Sequence, residues 1–383
     1  MSATVEQLLA DVDYSFPDYV PKPESVKFIN FIKLVNQHKG GEENQSPVVH
    51  LKMLDSVFNK EKRNAIMCHR GIAKTTLMAE YMFLYIAVFG KLDNFGDVTL
   101  ALYVSDSMEN GVKNLRRNIE YRYEDSPFLK EYLDIKLTDS RLEFINKKTN
   151  KKFIVKMYGA KTGVRGAKEQ GIRPQLAVLD DLVSDEDARS ETIISTIEDT
   201  VHKAVSKALH PSRSKTIWLG TPFNQKDPLY KAVESGAWTT SVYPIAEHFD
   251  SSVSREKFKG SWEERFSYDY VKDEYESAKK QHKLEGFYQE LMLQVISEDE
   301  RVIRDEDIVW YDFVDVKDKI RDFNTYITTD FATSEKKSSD FSCISVFGVN
   351  NNGDYLWLDG ICTRQLMNKN IDALFKLVQI YKP

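Results

Sequence analysis

The stretch Ala65-Ile66-Met67-Cys68-His69-Arg70-Gly71-Ile72-Ala73-Lys74-Thr75-Thr76 decides how the rest of the chain is read. Its three leading apolar residues suit a short buried strand. The mostly apolar run from Thr75 to Phe89 suits a helix. A loop that cradles phosphates needs inward backbone N–H groups, a lysine for the β- and γ-phosphates, a hydroxyl for Mg²⁺ and a helix N-terminus behind them. Lys74, Thr75 and the helix supply the last three. Against the pattern G-x-x-x-x-G-K-[ST], Cys68 stands at the first glycine and Ala73 at the second, which leaves Gly71 alone. The Cβ of Ala73 is expected to be accommodated by a negative φ. Residues Cys68 to Thr76 are therefore expected to bind ATP. A basic strand-to-helix turn is the plainer reading of the same residues.

A working phosphate loop predicts a second strand that ends in carboxylates. Leu176-Ala177-Val178-Leu179-Asp180-Asp181 has that form. Asp180 is expected to hold Mg²⁺ together with Thr75, directly or through water. Asp181, on the other side of the extended chain, is expected to orient or deprotonate the attacking water. An acidic turn capping a helix is the alternative, since Asp185, Glu186 and Asp187 follow. A third strand, Thr216-Ile217-Trp218-Leu219, runs into Gly220-Thr221-Pro222. Gly220 and Thr221 are candidates for sensing loss of the γ-phosphate, against the reading of a plain turn before Pro222.

Outward from these motifs, strand-like and helical runs alternate. Val98–Val104 reads as a strand, Ser105-Asp106-Ser107 as a cap and the residues to about Tyr123 as a helix. Ala188–Leu209 reads as a long helix. Such alternation predicts an α/β fold with a central, mostly parallel sheet covered on both faces. Phe249–Gln289 is charged and helical in character, and its aromatic stripe of Trp262, Phe266, Tyr270 and Tyr275 is expected to be core. After about Asp322 the pattern changes to strands at Tyr326–Asp330, Ser342–Val349 and Tyr355–Leu358, then a helix at Asn368–Tyr381. The expected organisation is an N-terminal helical segment (1–44), a nucleotide-binding domain with a helical lid subdomain (45–295), an acidic linker (296–322) and a second domain (323–383).

Of 383 residues, 42% are hydrophobic and 29% charged, enough for two domains with ordinary cores and against wholesale disorder. Cys68, Cys343 and Cys362 show no C-x-x-C spacing, which argues against a disulfide framework or a structural zinc. The N-terminus lacks the pattern of a secretory signal, and Leu77–Phe89 is too short to span a bilayer. A soluble intracellular protein with no membrane partner is expected. The net charge of −6 speaks against wholesale nucleic-acid affinity. Yet Arg141, Lys147, Lys148, Lys151, Lys152, Lys156, Lys161, Arg165, Lys168 and Arg173 face only Glu143 and Glu169 within that stretch. It reads equally as a nucleic-acid face and as a solvated hairpin.

Taken in order, His69–Thr75, Gly163-Val164-Arg165-Gly166, Arg173-Pro174-Gln175-Leu176 with Leu179-Asp180-Asp181, and Leu219-Gly220-Thr221-Pro222 resemble the large terminase subunits of tailed bacteriophages, the short-tailed T7-like phages most of all. The resemblance spans roughly residues 45–383. It implies a P-loop ATPase of RecA/ASCE-like fold followed by a partial RNase H-like α/β nuclease domain. The implied work is translocation of double-stranded DNA into a procapsid, with cutting of concatemeric DNA. Its implied partners are the portal protein and the small terminase subunit, its assembly a homo-oligomeric ring, and its location the cytoplasm of the infected bacterial host. Arg70, four residues before Lys74, matches an arginine that acts in cis on the transferring phosphate. Asp180-Asp181 stands where the family commonly has Asp-Glu. Asp330 matches the first nuclease acid, and Asp340 is a candidate accessory ligand for Mg²⁺ or Mn²⁺. The family's further carboxylates would follow the helix that ends near Pro383, so the nuclease as given is expected to be incomplete and inactive.

Two other readings share these features. A helicase-like ATPase would carry the same loop, acids and Gly-Thr-Pro strand. A non-catalytic DNA-binding assembly protein with a decayed loop would account for Cys68 and Ala73.

Overall fold

A computed structural model describes residues 3–16, 18–39, 46–162, 164, 167–295, 309, 311, 323–332, 341–350, 353–363 and 365–383. The chain forms two compact units, Met1–Glu300 and Arg301–Pro383. No helix among the described residues is long and apolar enough to cross a membrane.

In the first unit, helices α1 (Val5–Ala10), α2 (Pro23–Val35) and α3 (Val48–Val57) precede strand β1 (Arg63–Cys68). A π-helical turn, Thr76–Tyr81, runs into α4 (Met82–Phe89). Next come a small hairpin of β2 (Lys91–Leu92) and β3 (Gly96–Asp97), strand β4 (Leu100–Ser105), and helices α5 (Lys113–Asp125) and α6 (Pro127–Tyr132). Strands β5 (Leu133–Leu137), β6 (Arg141–Asn146), β7 (Lys152–Gly159) and β8 (Leu176–Asp180) follow. The helix expected over 188–209 spans α7 (Glu191–Asp199), a π-helical turn (Thr200–Val205) and α8 (Ser206–Ala208). Strand β9 (Lys215–Gly220), α9 (Pro228–Glu234), β10 (Thr239–Tyr243), α10 (Tyr268–Lys280) and α11 (Leu284–Glu290) complete the unit.

The eight-stranded sheet has the order β10-β1-β9-β8-β4-β7-β6-β5. All pairings from β10 to β7 are parallel, and β6 and β5 extend that edge antiparallel. The expected mostly parallel sheet is present, and its central strands β4, β8 and β9 are buried throughout. Period-two alternation divides their side chains between two cores. Ile66, Tyr103, Val178 and Leu219 join α2–α6 on one face, while Met67, Val104, Leu179 and Trp218 join α7–α9 on the other. The carboxyl ends of β1, β4, β8 and β9 consequently share one edge, the place where open α/β sheets bind ligands.

The helix that follows β1 is not regular. Its π-helical turn carries Glu80, 1% exposed, whose carboxylate accepts from Arg122 Nε at 2.6 Å and Asn118 Nδ2 at 2.8 Å. A buried carboxylate without such partners would cost several kcal/mol, on the order of 3–5.

A third core, from Ile245 to Met292, lies in the segment expected as the lid subdomain. Trp262, Phe266 and Tyr275 are buried in it with Phe249, Phe258 and Phe287, as the aromatic stripe predicts, whereas Tyr270 is exposed. The expected helicity over 249–289 holds only from Tyr268 onward. Residues 249–267 are irregular chain and turns, with one 3₁₀ turn at Arg255–Lys257 and a bridge at Gly260, because their aromatics serve a compact irregular cluster rather than one helical face.

The basic stretch from 141 to 173 includes the β6–β7 hairpin. Arg141, Lys147, Lys148, Lys152, Lys156 and Lys161 all sit in ion pairs, with Glu143, Glu169, Asp134, Glu131 and Asp187 among their partners. Several of those acids come from outside the stretch, so the charge excess seen in the sequence is largely matched in space. Arg165, Gly163 and Gly166 lie outside the described residues.

In the second unit, β11 (Asn324–Asp330), β12 (Ser342–Val349) and β13 (Tyr355–Thr363) form an antiparallel sheet in that order. Helix α12 (Met367–Tyr381) packs on it around Ile344, Val346, Leu358 and Leu377. The expected linker 296–322 lies outside the described residues, Val309 and Tyr311 apart.

Candidate nucleotide site

Four strand ends bring the sequence motifs together. Lys74, at the start of the helix after β1, places its Nζ 3.0 Å from Asp181 Oδ2 and donates to Thr221 Oγ1 at 3.3 Å. The Thr221 hydroxyl in turn donates to the Cys68 carbonyl at 2.6 Å, and its N–H donates to Asp181 Oδ1 at 3.3 Å. Residues 68, 74, 181 and 221 thus share one hydrogen-bonded cluster. Burial would depress the Lys74 ammonium, but the carboxylates of Asp181 and Asp180 hold it above its ordinary range.

Asp180 closes β8 and is 2% exposed. Burial, reinforced by the neighbouring Asp181 charge, pushes its carboxyl up to about 7. Tyr103 donates to Oδ2 at 3.0 Å, and Thr75 also hydrogen-bonds the carboxyl. Oδ1 is buried without a hydrogen-bond partner. A buried carboxylate oxygen with no donor, beside a threonine hydroxyl, is what a hard divalent cation would satisfy. Thr75 and Asp180 therefore fit Mg²⁺.

Asp181 does not turn to the opposite side as an extended strand would require. Its φ is +44°, while its N–H still donates to the Leu219 carbonyl at 3.1 Å. The left-handed turn ends β8 and lets both acids reach one cavity. Aspartate is among the residues that tolerate this region. That cavity, of about 470 Å³, is lined by Arg70, Lys74, Thr75, Asp180, Asp181 and Thr221 among others.

The loop differs from expectation at Ala73, whose φ is +68° rather than negative. Gly71 has φ +93°, and a Cβ there would stand 3.0 Å from the Phe266 ring. The loop thus requires left-handed backbone at two positions and has glycine at one. Cys68 and Ile72 are fully buried, and burial pushes the Cys68 thiol up to about 12. His69 is buried too. Its Nε2 lies 3.0 Å from Ser261 Oγ, its ring meets Phe266 edge-on, and desolvation lowers it to about 3. The side chains of Cys68, His69 and Ile72 anchor the loop to the sheet and lid and do not line the acid cavity. Thr76 lines a separate cavity with Ala73. A Cβ at Gly220 would stand 2.8 Å from Leu229 Cδ2, so the Leu229 side chain would have to move to admit one.

Arg70 lines the acid cavity but is held from the lid. Its Nη1 lies 3.2 Å from Glu290 Oε2, and its N–H donates to the Glu290 carbonyl at 3.0 Å. The next-door Gln289 donates from Nε2 to the Pro222 carbonyl at 3.1 Å. Sequence reasoning missed Glu290 and Gln289 because they lie far from either loop along the chain. Tyr103 was within reach: Tyr103 pairs with Val178 in register, two residues before Asp180 on the same face.

In the second unit, Asp330 ends β11, exposed and opposite Cys343, which in turn pairs with Cys362. Asp340 lies outside the described residues. Asp359 accepts from the Tyr381 hydroxyl at 3.0 Å, and Asp354 caps the 350–354 turn with Asn350. Among the described residues no group of three or more potential ligands comes together to hold a metal.

No family model and no curated protein matches the sequence. Among solved structures, the large terminase of bacteriophage HK97 is similar at 17% identity and a TM-score of 0.48, with 95% of this chain and 72% of that one covered. The DNA packaging motor described as Phi-28 gp11 is similar at 12% identity and a TM-score of 0.33, over 86% of this chain and 90% of that one. The Thermus phage P74-26 large terminase ATPase domain is similar at 12% identity and a TM-score of 0.45, over 73% of this chain and all of that one.

Proposed function

We propose that this chain is the large subunit of a viral DNA-packaging terminase, an ATPase that drives double-stranded DNA into a procapsid. The observation that carries the reading is the meeting of Lys74, Thr75, Asp180 and Asp181 at one cavity, with a buried Asp180 oxygen lacking a donor. In this reading Thr75 and Asp180 hold Mg²⁺. An ion held there would offset negative charge on the terminal phosphates. Lys74 binds the terminal phosphates. An entering γ-phosphate competes with Asp181 for the ammonium, and the released Asp181 carboxylate orients water for in-line attack. Arg70 stabilises charge on the transferring group once it leaves Glu290. Thr221, bonded to both Lys74 and Asp181, and the preceding Gly220 report departure of the phosphate to β9.

DNA contact in a motor of this kind goes mainly to phosphates and weakens with salt. The proposed partners are DNA, the portal protein and the small terminase subunit, in a homo-oligomeric ring within the infected bacterial host. The second unit is proposed as RNase H-like nuclease structure in which Asp330, with Asp340, would bind Mg²⁺ or Mn²⁺.

Phosphate release by the wild type, Lys74→Ala and Asp180→Ala tests the ATPase. Each substitution is expected to lower kcat by about 100-fold or more, the scale of losing one organising group at a charged transition state. Wild-type turnover no higher than that of either variant would remove the motor reading. Strand displacement on a forked duplex without portal stimulation would favour a helicase instead.

A further inference from the structure

The phosphate loop also reaches a second opening. Thr76, with Ala73 and Leu77, lines a cavity of about 240 Å³ whose walls include His50, Tyr81, Tyr121, Trp262 and Arg265. Lys74 and Thr75 line the acid cavity, while the very next residue opens onto this one. A triphosphate whose γ end sits at Lys74 has its earlier phosphates along the backbone N–H groups of the loop and helix start. Its nucleoside then leaves the loop past Thr76.

The walls suit a flat heterocycle. The Arg265 guanidinium centre lies 5.1 Å from the Trp262 ring centroid and 5.4 Å from that of Phe266, while Arg265 itself is exposed. A planar guanidinium braced on an indole keeps a free face on which a base can stack. His50 Nε2 lies 2.8 Å from the Ile72 carbonyl, so that nitrogen carries the hydrogen. Burial keeps the ring neutral, which leaves Nδ1 as an acceptor.

We propose that this cavity holds the base of the bound nucleotide, with Arg265 on Trp262 as its stacking surface and His50 as acceptor for the 6-amino group of adenine. The proposal rests on the phosphate-loop reading and adds the part of the site that distinguishes a nucleotide from bare phosphate. Trp262 belongs to the lid core, so base binding would also tie the lid to the loop.

Calorimetric titration of ATP and of inorganic tripolyphosphate, each with Mg²⁺, tests it. Wild type is expected to prefer ATP. Arg265→Ala, at an exposed position, is expected to weaken ATP about tenfold or more, the scale of one lost stacking contact, and to leave tripolyphosphate unchanged. Inosine triphosphate, which lacks the 6-amino group, should bind wild type more weakly than ATP. Tyr270→Ala lies in a neighbouring cavity bounded by Gly71 and Arg265 and should change nothing. Equal loss of ATP and tripolyphosphate in Arg265→Ala, or no loss of either, overturns the proposal. So does a Tyr270→Ala defect as large as that of Arg265→Ala, which would move the base next door. Wild type that binds tripolyphosphate as well as ATP has no base subsite. Wild type that binds neither removes the phosphate-loop reading itself.

Discussion

The first unit and the second each end a strand on an aspartate, and the two ends differ in what surrounds them. Asp180 is buried among Tyr103, Thr75, Lys74 and Asp181, and its carboxyl is pushed up to about 7. Asp330 is exposed, with Cys343 across the strand. The contrast shows what makes a strand-end acid chemically useful. In a parallel sheet, strands far apart in sequence deliver their carboxyl ends to one edge. A three-stranded antiparallel sheet alternates its ends, so adjacent strands deliver opposite termini and fewer groups collect.

That contrast can be broken or sharpened by substitution. Arg70→Ala is expected to lower ATP turnover by about 1,000-fold while leaving ATP affinity nearly unchanged, as befits a group acting on the transferring phosphate. Equal loss of kcat and affinity would make Arg70 a binding residue. Asp180→Asn is expected to melt higher than wild type at pH 8 in the absence of divalent metal. The folded pKa lies above the unfolded one, so the stability that protonated Asp180 contributes is complete below about pH 4 and lost as pH rises through about 7. The advantage of Asn should therefore shrink as pH falls from 7 toward 4. A Tm difference that ignores pH would show that Asp180 ionises freely.

Ala73→Gly is expected to stabilise the fold by about 1 kcal/mol, because alanine pays the left-handed penalty that glycine avoids. A fall in Tm would mean that Ala73's methyl packing against the lid core outweighs its backbone cost. The smallest effect is reserved for the other acid. Asp330→Ala should leave stability within about 0.5 kcal/mol of wild type, as for an exposed surface position. Plasmid nicking in Mn²⁺ should be negligible before and after the change. Robust nicking lost on substitution would overturn the contrast between the two acids.

Much of the sheet was legible because its strands are short and wholly apolar and end in chemically marked residues. Leu176–Leu179, running into Asp180, and Thr216–Leu219, running into Gly220, could be placed from pattern alone. The helix irregularities at Thr76–Tyr81 and Thr200–Val205 left no sequence signal, since a π-helical turn needs one extra residue and no particular type. The conformation of Ala73 was misread because residue type favours a negative φ, whereas the loop's path demands the opposite. The helical reading of 249–267 failed because aromatic recurrence every four residues served an irregular cluster. Glu290 was invisible for a different reason: an ion pair across 220 positions is set by the tertiary fold alone.

The hydrogen bonds around Pro222 have a mechanical consequence. Thr221 grips Lys74, Pro222 grips Gln289, and Glu290 grips Arg70, which stands four residues before Lys74. These links form a closed chain of three parts: β9's end, α11 and the loop. No part of such a chain can shift by itself. Any movement at one joint must reappear at the other two.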